Sequence, residues 1–374
     1  MGHRFTFENA PQRVYWEITR ACDLACRHCR AEATPNADPG ELSPNEGRAL
    51  LHAITQFGKP YPHVVLTGGD PLKRADFFEL IDLASRLGLG VSVAPSATPL
   101  LTEEAVMAFA AHGVDAMSLS IDGSTAARHD AIRRVDGTFE RTLAAAGAAR
   151  SVELPFQINT LVCEETVDDL PAIHDLVCAV GASRWSLFFL VTVGRGEVLS
   201  PISSARSEQV LAWATELMRS RRGHFAPGSP VVTTTEAPQV RRVAIEQQRA
   251  HGAGHGGRPT SGDKPAEPAV PHGAGIRDGN GILFISSKGD ICPSGFLEKP
   301  CGNVRHDDLV TTYREAPLFV ALRDVDGFGG RCGRCEFGHV CGGSRARAWS
   351  ATGDALAEDP LCPHEPAPRD NRPG

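Results

Sequence analysis

The chain has 374 residues, a net charge of −7 and a pI near 6.1. This length accommodates one large α/β domain and a smaller one, while the acidic balance argues against a nucleic-acid binder, which would usually carry a basic stripe. The sequence has no apolar run of the roughly 20 residues that span a bilayer, and its first residues lack the apolar core of a signal peptide. We therefore expect a cytoplasmic protein that binds neither nucleic acid nor a membrane.

Short apolar segments typical of β-strands alternate with helical patterns over the first two thirds of the chain. The six predicted strands are VYWEIT (14–19), HVVLTGG (63–69), GVSVAPS (90–96), AMSLSIDG (116–123), FQINTLV (156–162) and RWSLFFLV (184–191). The predicted helices cover residues 44–57, 73–87, 102–112, 138–150, 167–180 and 204–221. Such alternation indicates parallel strands joined by crossover helices. We predict an α/β fold containing a partial (β/α)6 TIM-like barrel.

Three regions are expected along the chain. Residues 10–222 form the partial barrel, residues 223–280 a linker, and residues 281–374 a small cysteine-rich domain. Within the linker, residues 251–275 are dominated by Gly, Pro, Ala and His without periodicity, which is typical of a flexible insertion. After it, GILFISSKGDICPSGFL (281–297) predicts two short strands around a Lys-Gly-Asp turn.

The eleven cysteines are unevenly distributed, and in a reducing compartment they are not expected to form disulfides. Cys163 and Cys178 stand alone and are interpreted as small buried hydrophobic residues. The others form two groups, which are Cys22, Cys26 and Cys29 near the start and Cys292, Cys301, Cys332, Cys335, Cys341 and Cys362 near the end. Both groups have the composition of metal-ligand sets.

The first group lies in CDLACRHC (22–29), directly after the first predicted strand. These spacings let one loop place three thiolates on one face of a cluster, and a [4Fe–4S] cubane needs an outside ligand for each of its irons. Three cysteines leave one iron open for a small molecule, as a catalytic zinc site keeps a free position. A zinc site that includes His28 and a redox pair of Cys26 and Cys29 are the alternatives.

CDLACRHC resembles the Cx3CxφC signature of the radical S-adenosylmethionine (SAM) superfamily. The resemblance implies that Cys22, Cys26 and Cys29 bind a [4Fe–4S] cluster whose open iron binds SAM, and that His28 lies beside the adenine. It also implies the chemistry: SAM is cleaved reductively to methionine and a 5′-deoxyadenosyl radical, which abstracts hydrogen from a substrate. The electron would come from a donor such as flavodoxin or ferredoxin.

GGDP follows the second predicted strand and comprises Gly68, Gly69, Asp70 and Pro71. Taken alone it also fits a plain turn, but it resembles the GGEP-type motif of the same superfamily. The resemblance implies that backbone groups and the Asp70 carboxylate hold the methionine amino group of SAM.

Two later segments, SLSIDG (118–123) and RHDAIRR (128–134), resemble the fourth-strand region of the superfamily. By this match Ser120 and Arg133 contact the SAM carboxylate, for which a bidentate arginine is suited. Arg134 and Arg141 are alternatives to Arg133. Weaker candidates for ribose and adenine contacts, with a structural role equally open, are Asn159 and Leu190.

The second group contains a closed set of four ligands, Cys332-x2-Cys335-x5-Cys341 followed by Cys362. Alone, the set fits structural zinc; after a radical SAM core it resembles a SPASM extension, which implies at least one auxiliary [4Fe–4S] cluster. The usual SPASM pattern has further cysteines where this chain has Asp307 and Arg345. A second auxiliary cluster would therefore need non-cysteine ligands in addition to Cys292 and Cys301.

Four stretches resemble radical SAM/SPASM proteins related to alternative heme and heme d1 biosynthesis: residues 185–196, 233–243, 292–297 and 335–348. In the heme synthases of that branch, porphyrin propionates are oxidatively decarboxylated to vinyl groups. Basic residues that could bind propionates, or simply pack or lie at the surface, are Arg195, Arg241, Arg242, Arg345 and Arg347. The alternatives are maturation of a ribosomally made precursor peptide and a non-catalytic iron–sulfur sensor.

Overall fold

The computed structural model of the protein describes residues 7–223, 229–254 and 275–367. Its strands are β1 (Arg13–Thr19), β2 (His63–Gly68), β3 (Val91–Val93), β4 (Ala116–Ser120), β5 (Phe156–Val162), β6 (Arg184–Phe189), β7 (Val231–Thr235), β8 (Ile282–Ile285), β9 (Asp290–Cys292) and β10 (Gly302–Asn303). Its helices are α1 (Pro44–Thr55), α2 (Phe77–Arg86), α3 (Glu103–Ala111), α4 (Ala126–Arg133), α5 (Thr138–Ser151), α6 (Leu170–Ala179), α7 (Ser204–Gly223), α8 (Val240–Gly254), α9 (Leu309–Glu315), α10 (Pro317–Arg323), α11 (Gly330–Arg334) and α12 (Arg345–Thr352). None of these helices is long and apolar enough to cross a membrane.

All ten strands belong to one sheet, in the order β10-β9-β8-β1-β2-β3-β4-β5-β6-β7. Neighbours from β1 to β7 are parallel, β8 adds in parallel to the other side of β1, and β9 and β10 are antiparallel. The two edges of this sheet, β10 and β7, are not paired with each other. The predicted α/β class and partial barrel are confirmed, with two more parallel strands than the six predicted.

The linker predicted over residues 223–280 is corrected in part. It contains β7 and α8, because VVTTT is rich in β-branched residues and the next segment has a helical apolar pattern that the Gly/Pro-rich insertion obscured. β8, assigned from sequence to the C-terminal domain, pairs with β1 and extends the barrel sheet. Most of the predicted insertion, residues 255–274, lies outside the described residues.

The helices form where local sequence caps them and tertiary packing covers their apolar faces. Ser43 caps α1 in a capping box: its hydroxyl accepts the Glu46 N–H at 3.4 Å, and its own N–H donates to the Glu46 carboxylate at 2.7 Å. Strand residues alternate between the helix layer and the barrel interior. In β4, for example, Met117 is buried in the main core, whereas Ser120 lines an internal cavity. The carboxyl ends of the parallel strands therefore present polar groups at one edge.

Helix α3 offers a direct test of this packing. Phe109 is fully buried against Phe77, and its ring meets that ring edge-on at a centroid distance of 5.9 Å. Because Phe109→Ala leaves a cavity in the core, we expect it to lower the free energy of unfolding by about 3–5 kcal/mol. Met107→Ala on the same helix, where the side chain is 50% exposed, is the control and should change stability little in the same denaturation experiment.

Candidate radical SAM site

The three-cysteine loop is held in place by an arginine from the other side of the barrel. Arg195, which follows β6, donates from Nε to the Cys26 carbonyl at 3.0 Å and from Nη1 to the Ala33 carbonyl at 2.9 Å. Its backbone N–H donates to the Cys29 carbonyl at 3.1 Å. Arg195 thus fixes the loop that carries the thiols, and its predicted role as a propionate partner stays a prediction.

The three thiols have different polar neighbours. The Cys22 Sγ lies 3.5 Å from the Ser96 hydroxyl, and the Cys26 Sγ lies 3.7 Å from the Arg133 guanidinium. The Cys29 Sγ accepts the Ala33 N–H at 3.5 Å. Burial raises the pKa of Cys22 and Cys26, an effect that Arg133 opposes at Cys26. These thiols therefore deprotonate most readily when a metal takes the place of the proton.

One group of side chains already has the spacing of zinc ligands. Ligands of a tetrahedral zinc, each at about 2.3 Å, lie roughly 4 Å from one another. In the described residues, the one trio of potential ligand atoms mutually within 4.8 Å is Cys335, Glu336 and His364. Cys22, Cys26 and Cys29 do not form such a trio.

A cavity of about 190 Å³ lies beside the cysteine loop, at the carboxyl ends of β2 to β5. The predicted site residues that line it are Gly68, Gly69, Ser120, Arg133 and Asn159. Ser96 also lines it and donates its hydroxyl to the Gly69 carbonyl at 2.7 Å. Sequence reasoning missed Ser96, although its position at the carboxyl end of the predicted strand 90–96 was the available signal.

Both glycines of GGDP are required by close backbone approach. A Cβ on Gly68 would lie 2.3 Å from the Thr19 carbonyl oxygen, and one on Gly69 would lie 2.4 Å from the Ala21 carbonyl oxygen. The end of β2 therefore lies directly against the chain that enters the cysteine loop. The cavity and the thiols share one wall.

Asp70 is engaged within its own loop, and its contact with the SAM amino group stays a prediction. Its side chain is fully buried and caps the short turn that begins at Pro71: one carboxylate oxygen accepts the Thr98 hydroxyl at 2.6 Å and the other accepts the Leu72 N–H at 3.2 Å. Burial raises the pKa of Asp70. Both oxygens are engaged within the loop, so Asp70 and Pro71 shape GGDP while its glycines reach the cavity.

Arg133 is the arginine that the structure brings to the cavity. Its guanidinium lies 2.6 Å from an Asp122 carboxylate oxygen, and its Nε is buried without a hydrogen-bond partner in the described chain. The two alternatives do not line this cavity. Arg134 ends α4 in a left-handed conformation, and Arg141 donates to the carbonyl of Ala97.

His28 and Leu190 do not line the cavity. The Nδ1 atom of His28 is buried and has no partner among the described residues, and burial lowers the pKa of His28 to about 4, which keeps the ring neutral. Leu190 lies in a separate apolar cluster that includes Cys163 and Leu161. The orphaned polar atoms of His28 and Arg133, together with the hydroxyl and amide lining, nevertheless fit a cofactor that carries a carboxylate, an amine and a ribose.

The C-terminal set of four cysteines also comes together. Cys332 Sγ accepts the Asp359 N–H at 3.4 Å, and the negative charge of a Cys332 or Cys362 thiolate disfavours ionisation of Cys335 and Cys341. Burial, the larger effect, raises the pKa of Cys335 to about 11 and that of Cys341 to about 12. The four sulfurs are not all within 4.8 Å of one another.

Cys292 and Cys301 form a smaller pair. Cys292 is buried at the end of β9, and the Cys301 N–H donates to the Ile291 carbonyl at 2.8 Å, which places the two cysteines on neighbouring segments. Burial raises the pKa of both thiols, that of Cys301 to about 11. Asp307 accepts the Asn303 N–H in its own loop. A second auxiliary cluster at this pair stays a prediction.

The remaining arginine candidates for propionate binding are engaged within the protein. Arg242 pairs with Glu208 and Glu246, and Arg347 pairs with Asp359. The other two donate to backbone carbonyls: Arg241 to Ile276 and Val340, and Arg345 to Gly343, Ala355 and Ala357. The packing alternative therefore describes these four residues better than substrate binding does.

Comparison with known proteins places the chain in a family. A profile of the Radical SAM superfamily matches residues 16–177. The chain is also 39% identical to the AdoMet-dependent heme synthase of Nitratidesulfovibrio vulgaris, over 94% of this chain and 92% of that protein. The chain belongs to the radical SAM superfamily. This radical SAM protein is 36% identical to the AdoMet-dependent heme synthase of Methanosarcina barkeri, over 96% of this chain and 98% of that one.

Solved structures agree on the fold. Streptococcus suis SuiB bound to the precursor peptide SuiA matches with a TM-score of 0.70 at 16% identity, over 95% of this chain and 76% of that one. The protein is an enzyme whose cofactors are a [4Fe–4S] cluster, SAM and at least one auxiliary [4Fe–4S] cluster.

The glycine contact can be tested by substitution. Because a Cβ at residue 69 collides with the backbone that leads into the cysteine loop, we expect Gly69→Ala to weaken SAM binding by the cluster-loaded protein at least tenfold, about 1.4 kcal/mol. Gly147→Ala on α5, where a Cβ meets nothing within 4 Å, is the matched control. Equal SAM affinity of the two variants, measured by equilibrium binding, would contradict this account of the cavity wall.

The C-terminal set of four cysteines predicts how much iron the protein binds. Anaerobically reconstituted Cys341→Ser should hold about four fewer iron atoms per chain than the unchanged protein, because a [4Fe–4S] cluster is lost as a unit. Cys163→Ser, which changes a buried cysteine in an apolar cluster, should retain the full iron content. Unchanged iron and sulfide content in Cys341→Ser would rule out a cluster at this set.

Proposed function

We propose that this radical SAM enzyme oxidatively decarboxylates propionate side chains of an iron porphyrin. The observation that carries the proposal is the similarity to AdoMet-dependent heme synthases over more than nine tenths of the chain. The loop motifs alone would support radical SAM chemistry on any substrate.

Each part of the site then has a role. Cys22, Cys26 and Cys29 hold the cluster with one open iron, and Cys332, Cys335, Cys341 and Cys362 hold the auxiliary cluster. When bound, the open cluster and SAM supply the 5′-deoxyadenosyl radical. Gly68 and Gly69 offer backbone groups to the SAM amino group, while Ser120 and Arg133 offer a hydroxyl and a guanidinium to its carboxylate. Asn159 offers an amide to the ribose.

The proposed substrate reaction is balanced by one external electron acceptor. A hydrogen atom leaves the propionate β-carbon for the 5′-deoxyadenosyl group, the bond to the carboxylate breaks, and carbon dioxide departs as the vinyl double bond forms. One electron remains and requires a one-electron acceptor, for which the auxiliary iron–sulfur site is suited. A flavodoxin or ferredoxin would supply the initial electron. The free thiols fit the reducing cytoplasm, where we propose the enzyme acts.

The substrate can be tested directly. The reconstituted protein is incubated anaerobically with SAM, dithionite and iron-coproporphyrin III, and the porphyrin is analysed by mass spectrometry. We expect loss of one carbon dioxide and the accompanying hydrogen for each propionate converted, with 5′-deoxyadenosine formed in parallel.

The alternatives give different outcomes in the same experiment. SuiB, which binds a precursor peptide, shares only its fold with this protein. Modification of candidate precursor peptides, but not of the porphyrin, would indicate peptide maturation. A non-catalytic iron–sulfur protein would form no 5′-deoxyadenosine even when fully loaded and reduced. Either result would contradict the proposed porphyrin reaction.

A further inference from the structure

Three arginines around the four-cysteine site differ from the other buried arginines nearby. Arg242 and Arg347 each pair with a carboxylate, as a buried cation normally does. Arg241, Arg277 and Arg345 form no ion pair with any carboxylate in the described parts of the chain, and the hydrogen bonds that their guanidinium groups donate to oxygen go to backbone carbonyls.

Of these three arginines, Arg345 directly contacts a predicted cluster ligand. Its side chain is 0% exposed, and its Nη2 donates to the Cys332 Sγ at 3.5 Å. The guanidinium carbon lies 4.5 Å from the ring centroid of Phe328, which shields that face from water. Arg345 stands at the position where the usual SPASM pattern has a further cysteine, so a cation replaces a thiolate there.

The other two arginines add charge on neighbouring sides. Arg277 is 4% exposed and lies 5.4 Å from the Phe328 centroid, and its side chain would be 3.0 Å from a Cβ placed on Gly342, next to Cys341. Arg241 is half-buried and donates to the carbonyl of Val340, also next to Cys341. Three guanidinium groups that form no ion pair within the described residues therefore lie beside Cys332 and Cys341. The buried carboxylate of Asp278, which accepts the backbone N–H groups of Arg345 and Ala346 at 3.1 and 2.9 Å, offsets only part of this positive charge.

Isolated cations are costly to bury, so this arrangement favours an anionic group among the thiols. A cluster held by four thiolates carries negative charge, and that charge increases by one on reduction. Positive charge and a hydrogen bond at a ligand sulfur stabilise the more negative, reduced state and raise the reduction potential.

We propose that Arg345, supported by Arg277 and Arg241, is a positioning residue that raises the reduction potential of the auxiliary cluster so that it accepts the electron released on decarboxylation. That the cluster accepts the electron released on decarboxylation rests on the proposed function. The effect of Arg345 on the reduction potential does not. In the proposed reaction, an easily reduced acceptor makes loss of carbon dioxide one-directional.

The test is a redox titration monitored by electron paramagnetic resonance, in full-length protein that carries Cys22→Ala, Cys26→Ala and Cys29→Ala, so that the open cluster does not contribute. We expect Arg345→Gln to lower the ratio of reduced to oxidised auxiliary cluster about tenfold at a fixed potential, which for one electron is ~59 mV. Arg345→Lys keeps the charge and should stay closer to the unchanged protein.

A matched control is Arg323→Gln. Arg323 is also buried and also donates to carbonyls, including that of Gly279, but no ligand cysteine contacts it among the described residues. It should lose stability without a change in potential. If Arg345→Gln does not load iron, the same titration is made on Arg241→Gln, whose position is half-buried. We expect this variant also to lower the reduction potential of the auxiliary cluster. A potential equal to that of the unchanged protein in the loaded variant would overturn the inference.

The enzyme with its open cluster separates this inference from the proposed function. Arg345→Gln should still form 5′-deoxyadenosine, while the vinyl product per 5′-deoxyadenosine falls several-fold. A lowered potential in an enzyme that never converts iron-coproporphyrin III would contradict the porphyrin proposal and leave the role of Arg345 in setting the potential intact. Normal conversion with an unchanged potential would contradict the role of Arg345 alone.

Discussion

The cysteine loop is held against the carboxyl edge of the parallel sheet, and the rest of the site depends on this constraint. The loop has little regular structure of its own, so its shape comes from Arg195 on one side and from the glycines at the end of β2 on the other. Both contacts exist only because the sheet brings the ends of β1, β2 and β6 to one edge. The fold thus positions three thiols beside a polar cavity.

The two cysteine sites differ in how the arginines beside them are paired. At the open site, the nearby cation Arg133 is paired with Asp122 and retains one unsatisfied N–H, so it can meet an incoming carboxylate. At the closed site, Arg345 contacts Cys332 and Arg241 donates to the carbonyl beside Cys341, and neither guanidinium pairs with a carboxylate within the described residues. The first arrangement suits exchange of a small cofactor that carries a carboxylate, and the second suits a permanent anionic group that changes charge state.

Much of this could be predicted from sequence because the signals are local. Strand–helix alternation, the Ser43 cap and the cysteine spacing each depend on residues close together in the chain. The roles of Asp70 and Arg195 could not be read in the same way, because they depend on Thr98 and on the Ala33 carbonyl, which only the folded sheet brings near. β7 was missed because one short β-branched segment lay beside a long Gly/Pro-rich stretch whose composition dominated the interpretation.

The central claim is that a radical formed at the N-terminal cluster attacks a porphyrin propionate. The most direct measurement uses iron-coproporphyrin III deuterated at the propionate β-carbons and follows the label by mass spectrometry. The account predicts deuterium in 5′-deoxyadenosine in proportion to the vinyl groups formed. Unlabelled 5′-deoxyadenosine together with unchanged porphyrin would contradict it.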